Sequence, residues 1–192
     1  MSVRIAPKKV VVLKPVHAPL VSRSPGQRHI SAARVRRSIL RILRANTLCS
    51  LATVTVNRRA HINHVSFCYS ADLDFYFLSD PSSLHCRNLK TNRSMALTVF
   101  DSAQEWGGAD RGMQLFGTCR EAIGGAARTA EQQYGKRFRA YHAWKRDLDA
   151  EQRQAFRYRF YRFVPERVKI LDESEFGGGA LVFAELRRER RG

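Results

Sequence analysis

Apolar and polar positions alternate with period two through the middle of the chain, and with helical period at its flanks. Residues 48–56 (LCSLATVTV) are apolar and β-branched, and Asn57-Arg58-Arg59 supplies a turn. Residues 60–69 (AHINHVSFCY) alternate again, Ser70-Ala71-Asp72 reverses the chain, and residues 73–78 return. This predicts an antiparallel meander of three strands. Residues 94–100 (SMALTVF) predict a fourth strand and residues 111–120 (RGMQLFGTCR) a fifth, with a loop at 101–110 holding Trp106-Gly107-Gly108 that can cover a ligand. Residues 156–164 (FRYRFYRFV) alternate aromatic with basic, a strand with one dry and one wet face. Pro165 then interrupts the pattern, residues 167–171 predict a further short strand, and Gly177-Gly178-Gly179 breaks the chain before a last apolar piece at 180–183.

Helical spacing governs residues 31–45 (SAARVRRSILRILRA), where Val35, Ile39, Ile42 and Leu43 recur on one side and Arg34, Arg37, Arg41 and Arg44 largely elsewhere. Ser31 is the expected N-cap. Such a basic amphipathic helix suits a membrane surface, but beside a strand-rich body it is read as a lid on a core. Ala126, Ala127, Ala130 and Tyr134 predict another helix ending near Gly135, and residues 149–156 one more. Trp144, after Tyr141 and His142, is read as a core or dimer contact. Six or so antiparallel strands with helices remove their exposed edges by closing into a small barrel.

Charge changes this picture little. The 192 residues carry a formal +17, but residues 1–47 hold 11 Lys and Arg and no acid, and residues 187–192 hold four Arg and one Glu. The remainder has 19 basic and 16 acidic residues. A nucleic-acid-binding domain concentrates positive charge on a folded face, and here that case rests on the ends alone. The expected organisation is a basic arm at 1–30 with Pro7, Pro15, Pro19 and Pro25, a domain at 31–186 and a basic tail at 187–192. The arm reads as disordered or loosely draped, with an organelle-targeting segment as an alternative. Cys49, Cys68, Cys86 and Cys119 form no CxxC pair, which fits reduced buried thiols in a cytoplasmic protein. No apolar run is long enough to span a membrane. His61 and His64 lie three apart on a strand and point to opposite faces, so no metal is expected there.

The stretch 73–89 (LDFYFLSDPSSLHCRNL) carries the candidate chemistry: a strand end, the loop Ser79-Asp80-Pro81-Ser82-Ser83, and a helix bearing His85, Arg87 and Asn88. Hydroxyls and cationic side chains at the mouth of a helix make a phosphate site. The order LATVTV, HINHVSFCY, LDFYFLSDPSSLHCRNLKTN, SMALTVF and RGMQLFGT resembles the pyridoxamine 5′-phosphate oxidase-related, FMN-binding split β-barrel proteins over about residues 35–172. Its sharpest pieces are Ser83, His85, Asn88 and Leu89, then Arg111, Gly112, Gln114, Leu115 and Gly117. The resemblance implies a mainly β (α+β) fold, a six-stranded antiparallel Greek-key split barrel with flanking helices. It also implies a homodimer with FMN at the subunit interface.

On that resemblance, backbone contacts to the flavin ring fall on Asn63, His64, Val65, Ser66 and Phe67, and on residues 77–79 including Leu78 and Ser79. The phosphate falls to Ser83, His85, Arg87 and Asn88, with His85 where many relatives carry lysine. Gln114 faces the flavin or the partner subunit. The chain has Glu175-Phe176-Gly177 but neither of the terminal signatures with which true pyridoxamine phosphate oxidases grip pyridoxal phosphate, so the resemblance is to a relative of those enzymes. The expected function is flavin-dependent oxidoreduction of a small molecule. The alternatives are a flavin-binding or sensor protein without turnover, a deazaflavin-dependent reductase, and a nucleic-acid binder using its arm. Trp106, Tyr69, Arg111 and Phe176 are candidate substrate neighbours, each more simply read as packing or a structural ion pair. Arg157, Arg159 and Arg162 are read as a solvated strand face.

Overall fold

A computed structural model of the chain describes residues 8–12, 16–17 and 30–188. Its elements, in chain order, are β1 (Lys8–Val12), β2 (Val16–His17), α1 (Ala32–Ala45), β3 (Leu48–Val54), β4 (Ala60–Tyr69), β5 (Phe75–Ser79), α2 (Leu84–Thr91), β6 (Ser94–Phe100), β7 (Arg111–Glu121), α3 (Gly125–Arg137), α4 (Ala140–Arg146), α5 (Ala150–Ala155), β8 (Arg159–Asp172), α6 (Glu173–Phe176) and β9 (Ala180–Arg188). Strands β3, β4, β5, β8, β7 and β6 pair antiparallel in that order, and β6 returns to β3, closing a six-stranded barrel. β9 continues the sheet from the second half of β8, and β1 and β2 pair with β9. Of the basic arm expected at 1–30, residues 8–12 and 16–17 thus form strands; its other residues up to 29, and residues 189–192 of the tail, lie outside the described residues.

The strand at 156–164 and that at 167–171 are one. β8 runs for 14 residues, offering β5 one edge over Arg159–Phe163 and β9 the same edge over Arg167–Leu171, while its other edge follows β7. Pro165, which donates no hydrogen bond, is absorbed by a register shift at Phe116/Gly117 instead of ending the strand. Gly117 makes this close approach possible, since a Cβ there would lie 2.2 Å from the Val164 carbonyl oxygen.

Phe67, Phe75, Phe77, Tyr161 and Phe163 fill the barrel together with Leu51, Leu97, Met113 and Leu115. α1 closes the core with Val35, Ile39, Ile42 and Leu43, all without solvent exposure, and Ser31 caps it by accepting the Arg34 N–H. Arg137 at the end of α3 donates to the Leu43 and Asn46 carbonyls at the other end of α1, and its guanidinium lies 4.8 Å from the Phe67 ring. α3 and α4 cover the outside of β4, β5 and β8, where Ala130, Tyr134 and Tyr141 pack on Cys68, Tyr76 and Phe160. This cover corrects the expected wet face of β8. Arg157 and Arg159 are exposed ahead of and at its first residue, but Phe160 and Tyr161 are both buried, and Arg162 pairs with buried Asp74, Nε to Oδ2 2.9 Å.

Candidate functional site

The chain leaves β5 at buried Ser79, turns through Asp80-Pro81-Ser82-Ser83 and enters α2. The Ser82 N–H donates to the Asp80 carboxylate at 2.7 Å, and Ser83 Oγ donates to the Asp80 carbonyl at 2.7 Å. Ser83 therefore gives α2 no side-chain cap, and the first-turn amides of the helix stand without one. His85 turns inward. Its Nε2 is 2.7 Å from Ser79 Oγ and 3.2 Å from Ser83 Oγ, and its ring stacks parallel to that of His61 at 6.4 Å. Burial, with a smaller push from His61, lowers its pKa below the ordinary 6.5. His85 is thus a buried imidazole whose charged form is disfavoured and which hydrogen-bonds two hydroxyls, in place of the lysine expected of many relatives.

Asn88 is buried too and donates to Thr53 Oγ1 at 3.0 Å, tying α2 to β3. Arg87 is exposed and carries the positive charge of this corner. β4 pairs with β5 only over Phe67–Tyr69, so beyond Phe67 its edge toward α2 joins no strand among the described residues. In the β3–β4 ladder Asn63, Val65 and Phe67 turn their backbone N–H and C=O to β3, so the groups facing the open edge are those of Ile62, His64 and Ser66, with Val65 packed on the core and the Phe67 ring wholly inside it. Leu78 is half-buried under α3. His64 is exposed on the outer face, its Nδ1 sharing a 2.9 Å hydrogen bond with Ser50 Oγ.

That outer face, opposite the one α3 and α4 cover, carries two rows of side chains across the strands. Ile62, Ala52, Ala96 and Phe116 form one, and His64, Ser50, Thr98 and Gln114 the next, continuing to Lys169 and Phe183. Ile62 is 64% exposed. A shallow depression of about 230 Å³ lies over the first row, and one of about 490 Å³ lies farther along, at Phe100, Arg111, Gly112 and Gln114. The expected site residues thus divide. Ser79, Ser83, His85, Arg87 and Asn88 meet at the β5–α2 corner beside the open β4 edge, whereas Gln114 stands on the outer face.

The candidate substrate neighbours fall mostly into structural roles. Tyr69 packs on Phe67 and Phe75, Phe176 lies 5.7 Å beneath the Arg34 guanidinium, and Trp106 is fully exposed at the loop tip. Arg111 lies 3.5 Å from fully buried Asp172, which also accepts from Ser38 Oγ at 2.5 Å and Arg41 at 2.6 Å. Asp172 was not singled out in the sequence, where it follows the short strand read at 167–171; its role depends on Ser38 and Arg41 of α1 reaching the end of β8. Among the described residues no three His, Cys, Asp or Glu side chains gather as a metal site. All four cysteines are buried free thiols, with burial pushing Cys49 and Cys68 up to about 12. No helix among the described residues is long and apolar enough to cross a membrane.

The family model described as pyridoxamine 5′-phosphate oxidase matches residues 36–172. No curated protein matches the chain. Among solved structures, a heme binding protein from Mycobacterium smegmatis is similar at 18% identity and a TM-score of 0.61, over 82% of this chain and 59% of that one. The heme storage protein of Vibrio cholerae is similar at 18% identity and 0.56, over 69% and 91%. A Clostridium acetobutylicum protein related to general stress protein 26, of the pyridoxinephosphate oxidase family, is similar at 15% identity and 0.57, over 80% and 96%. At these identities the likeness is one of fold.

Proposed function

The chain belongs to the pyridoxamine 5′-phosphate oxidase family, and on that premise we propose that it is a homodimeric FMN-binding protein acting as a flavin-dependent oxidoreductase on a small molecule. The observation that carries this reading is the β5–α2 corner. A helix start without a side-chain cap, two hydroxyls and exposed Arg87 adjoin a strand edge that no other strand among the described residues uses. Amide N–H groups at a helix start and serine hydroxyls fit a phosphate, and free backbone groups on a strand edge fit the polar rim of a flavin ring. Arg87 adds charge, and neutral His85 holds Ser79 and Ser83 in place. Bound FMN would supply the electron or hydride transfer, while the protein binds and orients it. The uncovered row Ile62, Ala52, Ala96, Phe116 supports a second copy of the chain on the outer face.

The visible spectrum of the purified protein, followed by titration with FMN and with riboflavin, tests this. Yellow flavin bands or micromolar FMN uptake are expected. Arg87→Ala should weaken FMN by about tenfold, as expected for losing a charge-assisted contact, and leave riboflavin unchanged. Failure to take up either flavin removes the proposal, and equal losses for both assign Arg87 a fold role only. Deazaflavin in the same titration separates the cofactors, and tight binding without turnover on a substrate panel would identify a carrier or sensor.

A second reading is heme binding. Two similar structures are of proteins that bind or store heme, and His64 presents an exposed imidazole whose other nitrogen is already hydrogen-bonded. Titration with hemin, followed by its Soret band, separates this reading from the first.

A further inference from the structure

The larger outer depression, of about 490 Å³, has a chemistry of its own. Across β6, β7, β8 and β9 one row reads Phe100, Gly112, Leu171, Leu181, and the neighbouring row reads Thr98, Gln114, Lys169, Phe183. The first row is apolar with one side chain missing. Strands lie ~4.8 Å apart, so Phe100 and Leu171 stand roughly 10 Å from one another with Gly112 between them. That gap admits one flat ring. Phe100 stands close beside Gly112, where a Cβ would lie 3.1 Å from Phe100 Cβ, so a larger residue there would crowd it.

The second row, one pleat repeat or ~7 Å away, offers polar groups in need of a partner. Lys169 is half-buried, and among the described residues it has no carboxylate in ion-pair reach; its ammonium lies 6.0 Å from the Phe183 ring. Gln114 is exposed and makes no hydrogen bond among the described residues. The wall is fixed: Gln104 accepts the Arg111 N–H and donates to the Asp101 carbonyl at 2.9 Å, and the Asp110 N–H donates to Glu173 at 3.0 Å. The groove's other charges are Arg111, held by Asp172 and Ser174, and the exposed Asp110 carboxylate. Of the two cations Lys169 is the one with no carboxylate in ion-pair reach among the described residues, while the wall also carries the Glu173 carboxylate.

We propose that this groove binds a small aromatic carboxylate, its ring over Gly112 between Phe100 and Leu171 and its carboxylate on Lys169 and Gln114. The site lies away from the β5–α2 corner of the same chain, beside the outer-face row proposed to meet a second copy, and it shares Gln114 with that face. The test is an NMR titration of the full chain with 4-fluorobenzoate and, separately, with 4-fluorobenzamide, which has the same ring and no charge. The acid should bind about tenfold more tightly than the amide, the discrimination one charge-assisted contact provides. Lys169→Met keeps the apolar stem and should erase that preference while leaving the amide unaffected, and Lys169→Arg should retain it. Equal binding of acid and amide to the unaltered chain overturns the proposal, as does absence of binding by the acid in the millimolar range. So does undiminished preference in Lys169→Met.

Discussion

With Phe77 and His61 against its ring and the Ser79 and Ser83 hydroxyls on Nε2, His85 loses more hydration than these neutral contacts restore to an imidazolium. Its folded-state pKa therefore lies below 6.5. Above about pH 6.5 the unfolded chain's imidazole is neutral too, so the group's contribution to stability is fully present. As pH falls, the unfolded state takes up a proton that the folded state refuses, and stability drops until the folded pKa is reached. His85→Gln should flatten that part of the acid limb, read as urea midpoints at about pH 5 and about pH 7 for both proteins; an equally steep fall in the variant would locate the titrating group elsewhere. Composition alone gave no hint of this, because burial is what distinguishes a phosphate-binding cation from a neutral spacer. The same holds for Arg162, whose place in an alternating run suggested solvent and whose partner, Asp74, is 88 residues away.

At the scale of elements, two glycines show different kinds of close approach. A Cβ on Gly135 would lie 1.8 Å from His142 Nε2, where α3 meets α4, and the obstacle is a side chain. Gly135→Ala should cost about 1–3 kcal/mol by overpacking, and His142→Ala in the same chain should recover much of it. Thermal or urea unfolding of the two singles and the double reads that coupling, and strictly additive losses would show that the ring does not set the helix spacing. At Gly117 the obstacle is the Val164 backbone, which no side-chain truncation relieves. β3, β4, β6 and β7 were legible to within two residues, β3 and β6 through a strict alternation of buried and less buried positions, whereas β5 is buried on both faces. β8 was not legible as one strand, because it changes partners midway and its outer face is dry under α3 and α4, which disguises the alternation.

For the whole molecule, the outer faces of β3, β6 and β7 and the start of β4 are covered by no helix among the described residues, and they present Ile62 largely exposed beside small Ala52 and Ala96, with exposed Leu48 farther along β3. A self-complementary patch of this kind suits a two-fold partner. Ile62→Arg should convert a dimer into a monomer of 22.0 kDa by light scattering while the far-UV spectrum stays unchanged. A wild-type chain that already elutes as a monomer would refute the assignment. Flavin binding followed on the same variant shows whether the β5–α2 corner needs the second copy.

What the sequence determined by itself was local: which residues alternate, where the turns fall, where α1 starts, and which short stretches resemble a family. Hydrophobic period and turn chemistry act within a few residues, so they can be read in order along the chain. The tertiary structure decided what depends on neighbours distant in sequence. It closed β6 on β3 and ran β8 through Pro165. It neutralised His85, buried Asp172 beneath α1, and set Lys169 beside a gap at Gly112. Each of these follows from desolvation or from cross-strand register, and neither quantity exists until the strands have met.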